Sequence, residues 1–185
     1  MTSPIRSSMW AAGTLVFTAA MAGSPADKVT GEFLHVMTPS CPPTADAIAP
    51  YGKEISAHES IDGRVQKGNI YIYRPNGTWN FIDLGNAANA CVHVFEDGKA
   101  RIGGMNIDGT GPGLGRYFGW EVEDGGEPGA CVDSVTGIRF PGTQEGRAHF
   151  LDWCASGDRT GNTAIWPHVV IEGNLQVHNS PADGD

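Results

Sequence analysis

The chain has 185 residues, which suits one compact domain of ordinary size. Hydrophobic residues make up 40% of it and charged residues 18%, a balance that excludes a disordered tail. Lys and Arg number 12 against 21 Asp and Glu, so the net charge of -9 excludes the basic surface that nucleic acid or an anionic membrane requires.

Residues 1–22 have the layout of a secretory signal. Arg6 supplies the positive charge. Residues 9–22 (MWAAGTLVFTAAMA) form an uncharged run too short to span a bilayer, and Ala20-Met21-Ala22 fits a small-x-small cleavage site. A single β domain is expected over 23–179, followed by a polar tail over 180–185 (SPADGD). Within the domain the 26 glycines and 12 prolines disfavour long helices and favour short strands joined by turns.

Apolar residues then recur with period two. Residues 29–37 (VTGEFLHVM) open the series. Residues 44–60 carry the one hint of helix, interrupted by Pro50 and Gly52, and read as an irregular excursion tied down by Cys41. Residues 69–73 (NIYIY) and 78–83 (TWNFID) predict a hairpin around Asn76-Gly77. Residues 90–95 (ACVHVF) and 99–105 predict a second, turning at Asp97-Gly98. Residues 103–115 (GGMNIDGTGPGLG) read as a mobile loop at a barrel mouth, a sensible place for a ligand to enter. Residues 115–123, 135–140 and 168–178 complete the set. The expectation is an all-β fold, an antiparallel barrel or sandwich of about eight or nine strands.

Cys41, Cys91, Cys131 and Cys154 are an even set without a C-x₂₋₄-C pair. They predict two disulfides rather than a zinc site, with three connectivities open, and an oxidising location: secreted, periplasmic or at the cell surface.

Each candidate site has a plain structural alternative. Glu121, Glu123, Asp124 and Glu127 form the densest acidic loop and offer oxygen ligands for Ca²⁺. Their spacing matches no calcium loop, so a solvated hairpin is preferred and no metal or cofactor is expected. Among the six histidines, His93 lies mid-strand, and His149 sits three residues from Asp152, an acid–base pair in reach; structural imidazoles are the alternative. Trp79, Trp120, Tyr71 and Tyr73 would suit a sugar or hydrophobic ligand if exposed, and fill a core if buried.

Three pieces in order resemble a domain of poorly characterised secreted and surface proteins of bacteria. They are Val29-Thr30-Gly31, the central stretch from Cys91 through Gly98-Lys99-Ala100 and Ile102-Gly103-Gly104 to Val122–Gly129, and Gly173-Asn174-Leu175-Gln176-Val177-His178. The family's central turn usually reads D-N-G-E-P-G; here Gly125 stands in place of Asn. The resemblance implies an all-β exported domain and assigns no catalytic residue. It also implies a Cys91–Cys154 bond, which leaves Cys41 for Cys131; a Cys131–Cys154 bond is the rival.

The functional expectation is an exported, monomeric domain with a binding or structural role, taking a small molecule, a glycan or a protein as partner. The alternative is a small β-barrel enzyme, of isomerase, cyclase or hydrolase type, acting on a small hydrophobic or sugar substrate in the barrel cavity.

Overall fold

The computed structural model describes residues 27–38, 50–59, 66–95, 97–126 and 133–178. These form nine antiparallel strands and one helix: β1 (Asp27–Val36), β2 (Tyr51–Glu59), β3 (Gln66–Tyr73), β4 (Trp79–Asp83), β5 (Ala90–Val94), β6 (Lys99–Gly109), β7 (Tyr117–Glu123), β8 (Ser134–Phe140), α1 (Gln144–Ser156) and β9 (Ala164–His178). The strand order is β4-β3-β2-β1-β9-β8-β7-β6-β5, with a further β4–β6 pairing. The length of β6 permits that closure: residues 100–104 pair with β5, while Asn106, Asp108 and Gly109 pair with β4. Eight strands therefore close into a barrel, and β5 is an extra strand beside it. Closure removes the unpaired edges that a sheet would otherwise present, and an eight-stranded barrel encloses just enough space for side chains or one small ligand.

Alternation puts one face of each strand inside. Val29 and Phe33 of β1, Ile55 and Ala57 of β2, Ile70 and Ile72 of β3, Val122 of β7, and Val170 and Leu175 of β9 share the interior core. Fully burying each such side chain contributes roughly 1.5–3 kcal/mol. Val170 and Leu175 are an odd number of residues apart yet both point inward. A register shift against β1, between Leu34 and His35, supplies the extra residue that resets the alternation.

The helix lies outside the barrel against β7 and β8. Thr143 caps its start, its hydroxyl accepting from the Gly146 N–H at 3.0 Å, and Gly157 ends it in a left-handed conformation with φ 82°. Phe150, Trp153 and Cys154 form its buried stripe, packed on Tyr117, Ile138 and Phe140 in a second apolar cluster. Gly119 admits this packing, because a Cβ there would collide with the Trp153 ring. The Cys91–Cys154 disulfide, Cα–Cα 6.4 Å, ties the helix to β5 across 63 residues of chain.

Three readings of local structure change. Tyr51–Glu59 is strand β2 rather than part of an irregular excursion, because Lys53, Ile55 and Ala57 alternate into the interior. The glycine-rich run is strand, not loop, as far as Gly109. Gly103 sits against the β7 backbone, where a Cβ would strike Gly119 and the Phe118 carbonyl. Helix α1 was not foreseen, although Thr143, Gly157 and the 3–4 spacing of Phe150, Trp153 and Cys154 signal it. The signal, the tail, Cys41, Cys131 and the second half of the D-x-G-E-P-G-like turn, from Glu127 on, lie outside the described residues. Among the described residues no helix is long and apolar enough to cross a membrane.

Candidate functional site

Along the barrel axis the inward side chains change character. At one end they are aliphatic. Two residues further along the same strands they become basic: His35 follows Phe33, Lys53 precedes Ile55, Arg74 follows Ile72, Arg139 follows Gly137, and His168 precedes Val170. These five side chains line a cavity of about 300 Å³, walled by Phe118, Trp120, Trp166 and Ile72. That volume is at the small end of the range for ligand pockets. Among the described residues no Asp or Glu lines it. In a chain of net charge -9, the cavity is a local inversion of charge.

Lys53 is the centre of the arrangement. It is 2% exposed, its Nζ is 2.9 Å from His35 Nε2, and it stands 5.0 Å from the centroid of the Trp120 ring. His35 Nδ1 is in turn 2.8 Å from His168 Nδ1. The proton positions follow from donor and acceptor bookkeeping. An ammonium only donates, so His35 Nε2 accepts, its own proton sits on Nδ1 and is donated to His168 Nδ1, and the His168 proton sits on Nε2. The chain runs Lys53 to His35 to His168, and it requires both imidazoles to be neutral.

Burial enforces that state. Loss of solvent, then the neighbouring Lys53 charge, holds His168 down to about 2. The same two causes, with His168 added, press His35 far below its ordinary value. Burial, then the Arg74 charge, pushes Lys53 from 10.5 down to about 7.

The two arginines differ in their partners. Arg139 donates from Nε to Thr163 Oγ1 at 3.1 Å and lies over the Trp166 ring at 5.3 Å. Arg74 Nη1 is buried without a hydrogen-bond partner among the described residues. It passes beside Gly111, where a Cβ would collide with it. Asn80 flanks the same glycine, donating to the Gly111 carbonyl at 3.4 Å, while its Oδ1 is also buried and unpartnered. Unpaired buried donors are expensive, at about 1–3 kcal/mol each, and commonly mark places where a ligand supplies the partner.

The candidates singled out from sequence are dispersed. Trp120 lines the cavity. Trp79, Tyr71 and Tyr73 lie instead on the outer face of β3 and β4, where Tyr71 and Tyr73 stack at 6.2 Å and Phe81 joins them. His93 is half-buried on β5 against Phe95, its pKa lowered by burial and then by Arg101. His149 is 3.7 Å from Glu145 on the helix surface, and Asp152 is exposed; neither reaches the cavity. Glu121 is committed to Arg159, to Arg101 at 3.7 Å and to the Trp153 indole N–H at 3.2 Å. Glu123 lies 3.9 Å from Lys99, and Asp124 accepts the Gly126 and Val177 N–H groups. Among the described residues no group of three or more His, Cys, Asp or Glu is placed to hold a metal ion.

His35, Lys53, Arg74, Arg139 and His168 were not singled out from sequence. The available signal was phase: each lies two residues from an apolar or glycine position in the inward register of its strand.

Two larger clefts, of about 880 and 530 Å³, lie on the outer face. The first is lined by charges already paired with one another, such as Lys99 with Asp97 at 3.0 Å and Arg159 with Glu121. The second carries the outward Glu32, Glu54 and Glu172. The second also takes in Lys53 and Arg74, which it shares with the interior cavity, whereas the first gathers no unpartnered buried group among the described residues. No protein-family model, no curated protein and no solved structure matches the chain.

Proposed function

We propose that this chain is an exported, monomeric barrel that binds a small amphipathic anion, a carboxylate with an aromatic or alkyl body, in its interior cavity. The observation that carries the reading is the convergence of Lys53, Arg74, Arg139, His35 and His168 on an aromatic-walled space with no acid among its described lining residues. Arginine pairs with carboxylates through two parallel hydrogen bonds, and the indole rings of Trp120 and Trp166 offer apolar faces to the ligand body. The disulfide supports export, since such bonds persist in oxidising compartments, and the resemblance to exported bacterial domains points the same way.

A second reading, the small-barrel enzyme, is favoured by one observation. The hydrogen-bonded chain Lys53–His35–His168 places a proton acceptor and a donor in the cavity wall.

Calorimetry and tryptophan fluorescence with phenylacetate and phenylacetamide test the anion reading. A charge-assisted hydrogen bond contributes about 1.5–3 kcal/mol, so the acid should bind about ten- to a hundredfold more tightly than the amide. Arg74→Gln, which removes the guanidinium whose Nη1 lacks a partner among the described residues, should abolish most of that preference. Equal affinity for acid and amide would overturn the reading.

A further inference from the structure

We infer that Lys53 is a carbonyl-capturing amine, and that the barrel holds 2-oxo acids with an aromatic or alkyl side chain as an imine on its Nζ. The inference rests on the anion-binding reading, which assigns the ligand's carboxylate to the arginines.

The geometry supplies each requirement of imine chemistry. The amine must be reachable by ligand yet shielded from water, and Lys53 lines the cavity while being 2% exposed. It must not be locked as an ammonium in a salt bridge; among the described residues no ion pair joins it to a carboxylate, and its hydrogen-bond partner is the neutral His35 at 2.9 Å. It must be held in place for attack, and His35 Nε2 accepts a hydrogen bond from Nζ, the ring itself being fixed by His168 at 2.8 Å. Desolvation and the Arg74 charge bring Lys53 down to about 7, so a large share of it is the free amine near neutral pH. A carbonyl beside a carboxylate then satisfies both halves of the cavity: the keto carbon at Nζ, the carboxylate at Arg74, whose Nη1 lacks a partner among the described residues.

The step balances without an added reagent. The Nζ lone pair forms a C–N bond with the keto carbon as the carbonyl π pair moves onto oxygen. The surplus proton on nitrogen passes to that oxygen within the adduct, while His35 Nε2 keeps the nitrogen in place as a hydrogen-bond acceptor. The carbinolamine then expels water to leave C=N. One amine and one carbonyl give one imine and one water, with no change of oxidation state.

The test treats the full chain with phenylpyruvate and sodium cyanoborohydride, then locates the adduct by intact mass and peptide mapping. Expected is a single equivalent on Lys53, with Lys28, Lys67 and Lys99 unlabelled in the same molecule, and no adduct on Lys53→Met. Acetophenone, a carbonyl without the carboxylate, should label at least tenfold more slowly. Phenyllactate, an acid without the carbonyl, should compete. Mapping the wild-type protein decides the point even if Lys53→Met fails to fold. Binding of phenyllactate without an adduct on Lys53 would overturn the imine and leave the anion site standing. Absence of both would overturn the two readings together, and equal labelling of all four lysines would overturn the imine at this site.

Discussion

Replacing Lys53 by Met should stabilise the protein at neutral and lower pH and destabilise it at high pH. The unfolded amine holds its proton up to about 10.5, whereas burial and Arg74 make the folded amine release it near 7. Each tenfold change in proton affinity is about 1.4 kcal/mol, so holding the charged amine in the cavity opposes folding by roughly 5 kcal/mol at most. Between these two pH values the unfolded chain binds more protons, and wild-type stability rises with pH by about 1.4 kcal/mol per pH unit. Above 10.5 both states are neutral and the penalty is gone; below 7 it is fully present. Methionine has similar reach and no charge, but it leaves His35 Nε2 without its donor, a loss of about 1–3 kcal/mol. The variant should therefore be more stable than wild type by about 2–4 kcal/mol near pH 6, and less stable by about 1–3 kcal/mol above pH 10.5. The groups facing Lys53 are His35 on β1, Tyr51 on β2, Arg74 after β3, Arg139 on β8 and His168 on β9. These, and Glu32, Glu54 and Glu172 of the adjoining outer cleft, are present in both proteins; loss of the Lys53 charge also relieves His35 and His168, which adds to the variant's gain at the acid end. Urea unfolding of both, disulfide intact, across this pH range is the assay. A difference that keeps one sign and one size at every pH would refute the reasoning.

The two buried imidazoles set the acid limit. Unfolded histidines take up protons as pH falls through 6.5, while folded His168 does so only near 2 and His35 is held lower still, so stability should fall by up to about 2.7 kcal/mol per pH unit below about pH 6; a denaturant series that stays flat from pH 6.5 to 4.5 would count against neutral burial. Gly119→Ala places a methyl group into the Trp153 ring and should destabilise by about 1–3 kcal/mol, with loss of near-ultraviolet tryptophan ellipticity as the sign that α1 has shifted. Cys91→Ser with Cys154→Ser frees a 63-residue loop and should lower stability by about 4 kcal/mol on the chain-entropy account, read as a drop in the urea midpoint. Asp133→Ala strips the carboxylate that accepts the Gly125 and Leu175 N–H groups, both at 3.0 Å, and should destabilise by about 2–4 kcal/mol, with faster hydrogen exchange at those two amides.

Period-two alternation was enough to identify the all-β class and the strands other than β2, because the inner and outer faces of a strand differ in solvent over every pair of residues. Turn chemistry at Asn76-Gly77 and Asp97-Gly98 likewise announced the β3–β4 and β5–β6 hairpins, whose glycines adopt φ 78° and 76°. Helix α1 was legible but overlooked: its buried stripe is only Gly146, Phe150, Trp153 and Cys154, and the surrounding Gly, Arg, His and Asp blur the pattern. Whether the strands would close was not legible, since closure depends on β6 reaching both β4 and β5, a matter of length and register between distant segments. The candidate site belongs to that second class. His35, Lys53, Arg74, Arg139 and His168 look like ordinary polar interruptions one strand at a time, and β1 and β9 meet only through a pairing more than a hundred residues apart. The amino-acid sequence by itself determined which side of each strand faces inward. Only the tertiary structure decided that five basic residues on those inward sides share one cavity, because the barrel brings the same axial level of distant strands together and no local pattern records that level.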